Sequence, residues 1–358
     1  MSANYDLSNL ALKAVCPNNE ILYDDKGKPS VMVYIPKMTY AQLGLGSSTA
    51  IFPAFLVNGQ EVAGIYFSKY EPIVMDGRAY SLPGEDPKTR ITFDQAISAC
   101  TAKGAGWHLI TRFEWALLAL WCKANGTQPK GNNNYGKDAS ESVRKAIPTH
   151  MDGANVGRVA TGTGPLSWSH DGTPSGIWDL DGNVWEWCGG MRLVYGELQI
   201  LENNNAADSS KSQAASSAQW MAIKASDGTL ITPDGSGTTT GSVKLSWDTD
   251  HLKWDTTVAS AGNHDCNFEA ITCSANIGDA AKLLLQALAL FKYDETEGAY
   301  NGDRVWANTG EADKAFYCGG GWDFGANAGV FALNGIFSRS DAFGSLGFRC
   351  AYCALPSA

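Results

Sequence analysis

Few of the residues able to do chemistry in this 358-residue chain are spaced to do it. Cys350-Ala351-Tyr352-Cys353 has the C-x-x-C spacing of a redox pair or half a zinc site. It has no second pair to complete a zinc site and no βαβ context. The nine cysteines are an odd number, and their spacings form no secreted disulfide framework. The thiols are therefore expected to be mostly reduced core residues. The five histidines are scattered without metal-ligand spacing, and none is assigned a role. Glu114 could be a general acid. However, Thr111-Arg112-Phe113-Glu114 is a capping box, in which each end satisfies an orphan backbone N–H at a helix start. Capping is the reading adopted.

The C-terminal tail, Cys318 to Arg349, is different in kind: CGGGWDFGANAGVFALNGIFSRSDAFGSLGFR. Part of it is scaffold. Gly319-Gly320-Gly321 leads into Trp322, Val330-Phe331-Ala332-Leu333 is an apolar run, and Gly347-Phe348-Arg349 closes it. The rest has no period of 2 or 3.6: Asp323-Phe324, Gly335-Ile336-Phe337 and Asp341-Ala342-Phe343-Gly344-Ser345. Glycines punctuate these positions, which places them in loops and turns.

GGGW…GVFALN…RS…GFR resembles the variable region of proteins diversified by a diversity-generating retroelement. Such regions sit on a C-type-lectin fold of the formylglycine-generating-enzyme subgroup. The undiversified template of these regions is rich in asparagine. Laid on it without a gap, template asparagines fall on Asp323, Phe324, Ile336, Phe337, Asp341, Phe343 and Ser345. An Asn codon randomised at its two adenines yields Asp, Phe, Ile or Ser, but never Lys, Glu, Gln, Met or Trp. None of that forbidden set occurs from Asp323 to Leu346. The resemblance implies a ligand-binding face made by Asp323, Phe324, Gly335, Ile336, Phe337, Asp341, Ala342, Phe343, Gly344 and Ser345. Trp322, Phe331, Leu333 and Phe348 would be buried beneath it, with Arg339 and Arg349 tying loop carbonyls or carboxylates in place.

A second segment, Gly176-Ile177-Trp178-Asp179-Leu180-Asp181-Gly182-Asn183-Val184-Trp185-Glu186-Trp187, resembles the G-N-V-W-E-W element of the same subgroup. In several members it holds calcium. Carried over by position, the ligands are the Asp179 and Glu186 carboxylates and the backbone carbonyls of Gly182 and Val184. Hard oxygen donors with a glycine to permit the turn suit calcium. Four such oxygens fall short of the roughly 6–8 that calcium prefers.

The elements that must position these segments follow in order. Residues 1–30 read as a polar, irregular N-terminal extension. The domain then spans 31–358, opening with strands at Val31–Pro36 and Ile65–Glu71. Helices start at Thr92 and Thr111, and the second is apolar nearly all round and hence buried. An insertion interrupts the pattern at about 193–309. It starts with a low-complexity Asn/Ala/Ser stretch expected to be mobile, then a β meander and a helix at Asp279–Phe291 with Asn276 as a possible cap. The expected architecture is α+β: a C-type-lectin-like fold carrying a long insertion.

Composition bounds the function. A net charge of −10 argues against nucleic acid, which demands a basic face. No apolar run is long enough to span a membrane, and the start lacks the order of a signal peptide. A formylglycine-generating-type oxidase would need a cysteine pair at Phe324 and Gly329, where no thiol stands. A calcium-dependent lectin-like sugar binder commonly carries Glu-Pro-Asn or Gln-Pro-Asp, and neither occurs. The expectation is a non-enzymatic binder of a protein or glycoprotein ligand on a bacterial surface. Its place would be a phage virion tail, or a cell surface reached outside the general secretory route.

Overall fold

The computed structural model describes residues 6–355. The ends of both expected segments, 1–5 and 356–358, lie outside them. The architecture is α+β, with four α-helices among the described residues. A five-stranded sheet gathers elements from both ends of the chain. Its order is Asn19–Tyr23, Pro29–Pro36, Gly64–Ser68, Cys350–Tyr352 and Trp107–Leu109. The C-terminal strand thus lies inside the sheet, with Ala351 opposite Phe67 on one side and His108 on the other.

The reading of residues 1–30 as irregular is corrected. Asp6 caps a helix, α1 (Leu7–Val15), by accepting from the Ser8 and Asn9 amides. Asn19–Tyr23 then pairs antiparallel with Pro29–Pro36, so the domain begins well before residue 31.

Helices α2 (Phe93–Thr101) and α3 (Arg112–Asn125) both open with complete capping boxes, Thr92/Gln95 and Thr111/Glu114. Helix α3 buries ten of its residues, Arg112 among them, and stops at Gly126 in the left-handed region. Cys100 at the end of α2 forms a disulfide with Cys350. This corrects the reading of these two thiols as reduced, and it shows Cys350 paired across the fold rather than with Cys353. The other seven cysteines are free.

The second sheet has twelve strands. At its centre the long Trp185–Val194 strand pairs with Lys314–Gly319, which pairs with Gly329–Gly335. The insertion is no separate subdomain. It adds Glu197–Ile200, Lys244–Asp248 and His251–Asp255 on one flank. On the other flank, Asn263–Asn267 and Arg304–Asn308 extend the sheet beyond Gly329–Gly335. The insertion helix α4 (Asp279–Ala287) is capped at Gly278, not Asn276, and ends earlier than expected.

The low-complexity stretch expected to be mobile is docked. Asn204 is fully buried, donating to the Ala54 carbonyl and to Glu114 Oε1, both at 2.8 Å, and accepting from the Thr111 hydroxyl. A buried amide satisfied on all sides holds a loop that composition alone describes as free.

Candidate functional site

The expected variable positions alternate with fixed ones along the tail, and the fold separates them. Val330, Phe331, Ala332 and Leu333 lie on a strand and are at most 2% exposed. Leu346 and Phe348 are equally deep. Phe331 packs against Phe268 and Tyr300, with ring centroids 5.1 and 4.9 Å away.

The intervening loops come together at one end of the sheet. Phe324 stands edge-on to Trp185 at 5.0 Å and to Trp306 at 5.5 Å. Phe337, 40% exposed, lies 5.3 Å from Phe343, and both rings contact Tyr317. Asp323 and Ala342 are exposed, and Ile336, Asp341, Gly344 and Ser345 are half-buried.

Two positions differ from the expectation. Gly335 is buried at the end of the Gly329–Gly335 strand, where a Cβ would run into the Phe316 ring. It is a packing position, and no side chain there can reach a ligand. Asp341 is occupied locally, its Oδ2 accepting from the Ser338 amide at 2.7 Å and the Ser338 hydroxyl at 2.9 Å. That carboxylate shapes the turn as well as facing outward.

Residues outside these loops hold their backbone. The Arg90 amide donates to the Phe343 carbonyl, Arg158 Nη1 to Gly344, and the Trp185 amide to Ser345. At the other end, the Phe93 amide donates to the Arg339 carbonyl and the Gly325 amide to Asn133. Arg339 lies over the Phe93 ring and bonds Asp94, Asp313 and the Gln213 carbonyl.

The residues expected to hold calcium do not fit it. Both Glu186 oxygens are taken by the buried Arg349 guanidinium, at 2.9 and 2.7 Å. Arg349 also donates to the Ser68 and Trp178 carbonyls. A cation thus already stands among these oxygens. Asp179 accepts from the Gly162 amide, and its other oxygen has no partner. Burial pushes its carboxyl up to about 6. Nearby Glu71 accepts from Asn183 and the Val184 amide, and burial, then Asp179, pushes it well above the usual range. Gly182 spends its positive φ of 76° on the turn packed against Asn132. Among the described residues no three His, Cys, Asp or Glu side chains are arranged to hold a metal.

Phe324 and Gly329, where an oxidase would carry its cysteines, pack as an aromatic edge and as a close approach to the Asp303 carboxylate. Cys188 and Cys318 are adjacent free thiols, 3.1 Å apart, but both are buried under the sheet, beside Arg112.

Solved structures offer distant likenesses. The Major Tropism Determinant U1 variant is 12% identical, with a TM-score of 0.31, over 94% of this chain and 71% of that one. Treponema denticola variable protein 1 is 11% identical, with a TM-score of 0.34, over 93% and 98%. PvdO from Pseudomonas aeruginosa is 11% identical, with a TM-score of 0.31, over 94% and 98%. The chain is similar to all three. At such scores no function passes from them to it. No family model and no curated protein matches.

Two contributors were not read from the sequence. Trp306 enters the face from the insertion, signalled only by the strand-like alternation in Arg304-Val305-Trp306-Ala307-Asn308. His108, given no role, bonds Glu114 Oε1 at 2.7 Å. Burial opposes its charge, but the Glu114 carboxylate raises its pKa on balance. Glu114 is thereby fixed as cap and hub.

Proposed function

We propose that this chain is a ligand-binding protein whose C-terminal loops are diversified by a retroelement. Its ligand is a protein or glycoprotein on a bacterial surface, and it works from a phage virion tail or an exposed surface. It is not an enzyme. The observation that carries this is the division of one short tail. Positions matching a randomised Asn codon form the outward loops, around Phe324, Phe337 and Phe343, while the residues between them are core. An ordinary surface loop has no reason to confine its residue types to those one codon family can supply. The Cys100–Cys350 disulfide suits a protein that works in an oxidising setting, outside a cytoplasm. The test is the DNA beside the gene. A near-copy of the tail's coding sequence differing only at adenines, next to a reverse transcriptase gene, is expected. Its absence from the source genome would sink the diversification reading.

A further inference from the structure

The Arg304–Asn308 strand belongs to the insertion, yet it pairs in parallel with the strand that leads into the variable loops. Val305 lies opposite Leu333, Trp306 opposite Asn334, and Ala307 opposite Gly335. This register puts Trp306 beside the loops. Its ring stands edge-on to Phe324, with centroids 5.5 Å apart, and to Trp185, at 5.8 Å. Trp306 is half-buried: it packs on the core with part of its surface left open. It lies outside the tail, so it stays constant while Phe324 varies.

The surroundings specify what would bind there. Phe324, Phe337, Phe343 and Trp306 make a contiguous apolar surface around Trp185 and Tyr317. The Tyr317 hydroxyl beneath it is buried, which keeps it out of reach of a sugar hydroxyl at the surface. Apolar ring surface with charge at its margin is the anatomy of a protein–protein hot spot. At the Phe324 margin that charge is negative. Asp323 is exposed next to Phe324, its carboxylate at the same Gly321 edge as the Phe324 and Trp185 rings, and among the described residues it makes no ion pair. The Arg304 guanidinium is already engaged by Asp265.

We propose that Trp306 is a fixed contact of the binding face, and that the face takes an apolar side chain flanked by a basic residue on a protein partner. This rests on the reading of the loops as the binding site. The insertion then supplies the constant half of a site whose other half varies. Each new set of loop residues inherits an aromatic anchor instead of building one.

The experiment pans the full chain against a displayed random-peptide library and measures the enriched peptides by calorimetry. Peptides pairing an aromatic or large aliphatic residue with Lys or Arg are expected. Trp306→Ala should weaken them about tenfold or more. Trp306→Leu, which keeps apolar bulk if the alanine variant fails to fold, should also weaken them, and Trp306→Phe should retain most affinity. Asp323→Asn should weaken binding and flatten its salt dependence. If Phe324→Asn with Phe343→Asn abolishes binding while Trp306→Leu leaves it unchanged, this inference falls and the loop reading stands. If the loop substitutions leave binding intact, the loop reading itself falls. Failure to enrich such peptides, with binding only to a glycan array, overturns the proposed partner chemistry.

Discussion

Phe331 is 1% exposed between Phe268 and Tyr300, whereas Phe337 is 40% exposed above Tyr317. Phe331→Ala or Phe348→Ala empties a packed site and should cost about 3–5 kcal/mol, enough to unfold a marginal domain. Phe337→Asn should cost only about 0.5 kcal/mol, the usual range for a surface change. Phe324 and Phe343 fall between, because their rings make edge contacts worth about 0.5–1.5 kcal/mol beyond area alone. Thermal melts of the single variants check this ranking, and equal losses for Phe331→Ala and Phe337→Asn would contradict it. The split between scaffold and loop was legible because codon logic and apolar runs point the same way. The fate of Gly335 was not, since only the Phe316 ring packed against it decides that no side chain fits. Nor was the choice of Arg349 as the partner of Glu186, which spans 163 residues of sequence.

At the scale of elements, a helix-start pattern at Thr92 and a capping box at Thr111 announced α2 and α3, and the structure starts both helices where those residues say. Elements that depend on distant partners were illegible, as with the docked Asn204 segment. One such tie joins the loop after α2 to the smaller sheet. Lys103 is 1% exposed, with its ammonium 3.4 Å from the Trp107 ring centroid and donating to Ser30 Oγ at 2.7 Å. Burial lowers its pKa from 10.5 to about 7. The unfolded chain therefore binds this proton more tightly than the folded one between those values. The penalty is full below about pH 7 and fades as pH rises toward 10.5, so this group makes stability increase with pH across that window. Urea unfolding of the wild type and Lys103→Met at pH 7 and pH 10 should show the wild type gaining on the variant. A constant difference would show that the ammonium is not destabilised by burial.

At the scale of the whole molecule, the insertion is structural. Arg112 of α3 donates to the Leu288 and Ala289 carbonyls, both at 2.7 Å, and Trp254 Nε1 donates to Leu290. Asp303 accepts from the Phe331 amide. Excising residues 195–308 would strand the buried guanidinium of Arg112, a loss of several kcal/mol. The shortened chain should fail to give a cooperative melt, and a cooperative transition near the parent temperature would refute that. The resemblance located this insertion but not its place, because the sheet that receives it is assembled from strands far apart in sequence. The inward position of the Cys350–Tyr352 strand has its own consequence for how the protein is made. The ribosome emits the loop segment 323–345 just before the strand that closes the small sheet. Under the proposed diversification, a chain cut short or shifted in frame by faulty copying of the tail would lack the closing strand and would not reach the folded state. Asn codons altered only at their adenines never become stop codons, so the changes that mechanism makes would escape this filter while copying accidents would be discarded as unfolded protein.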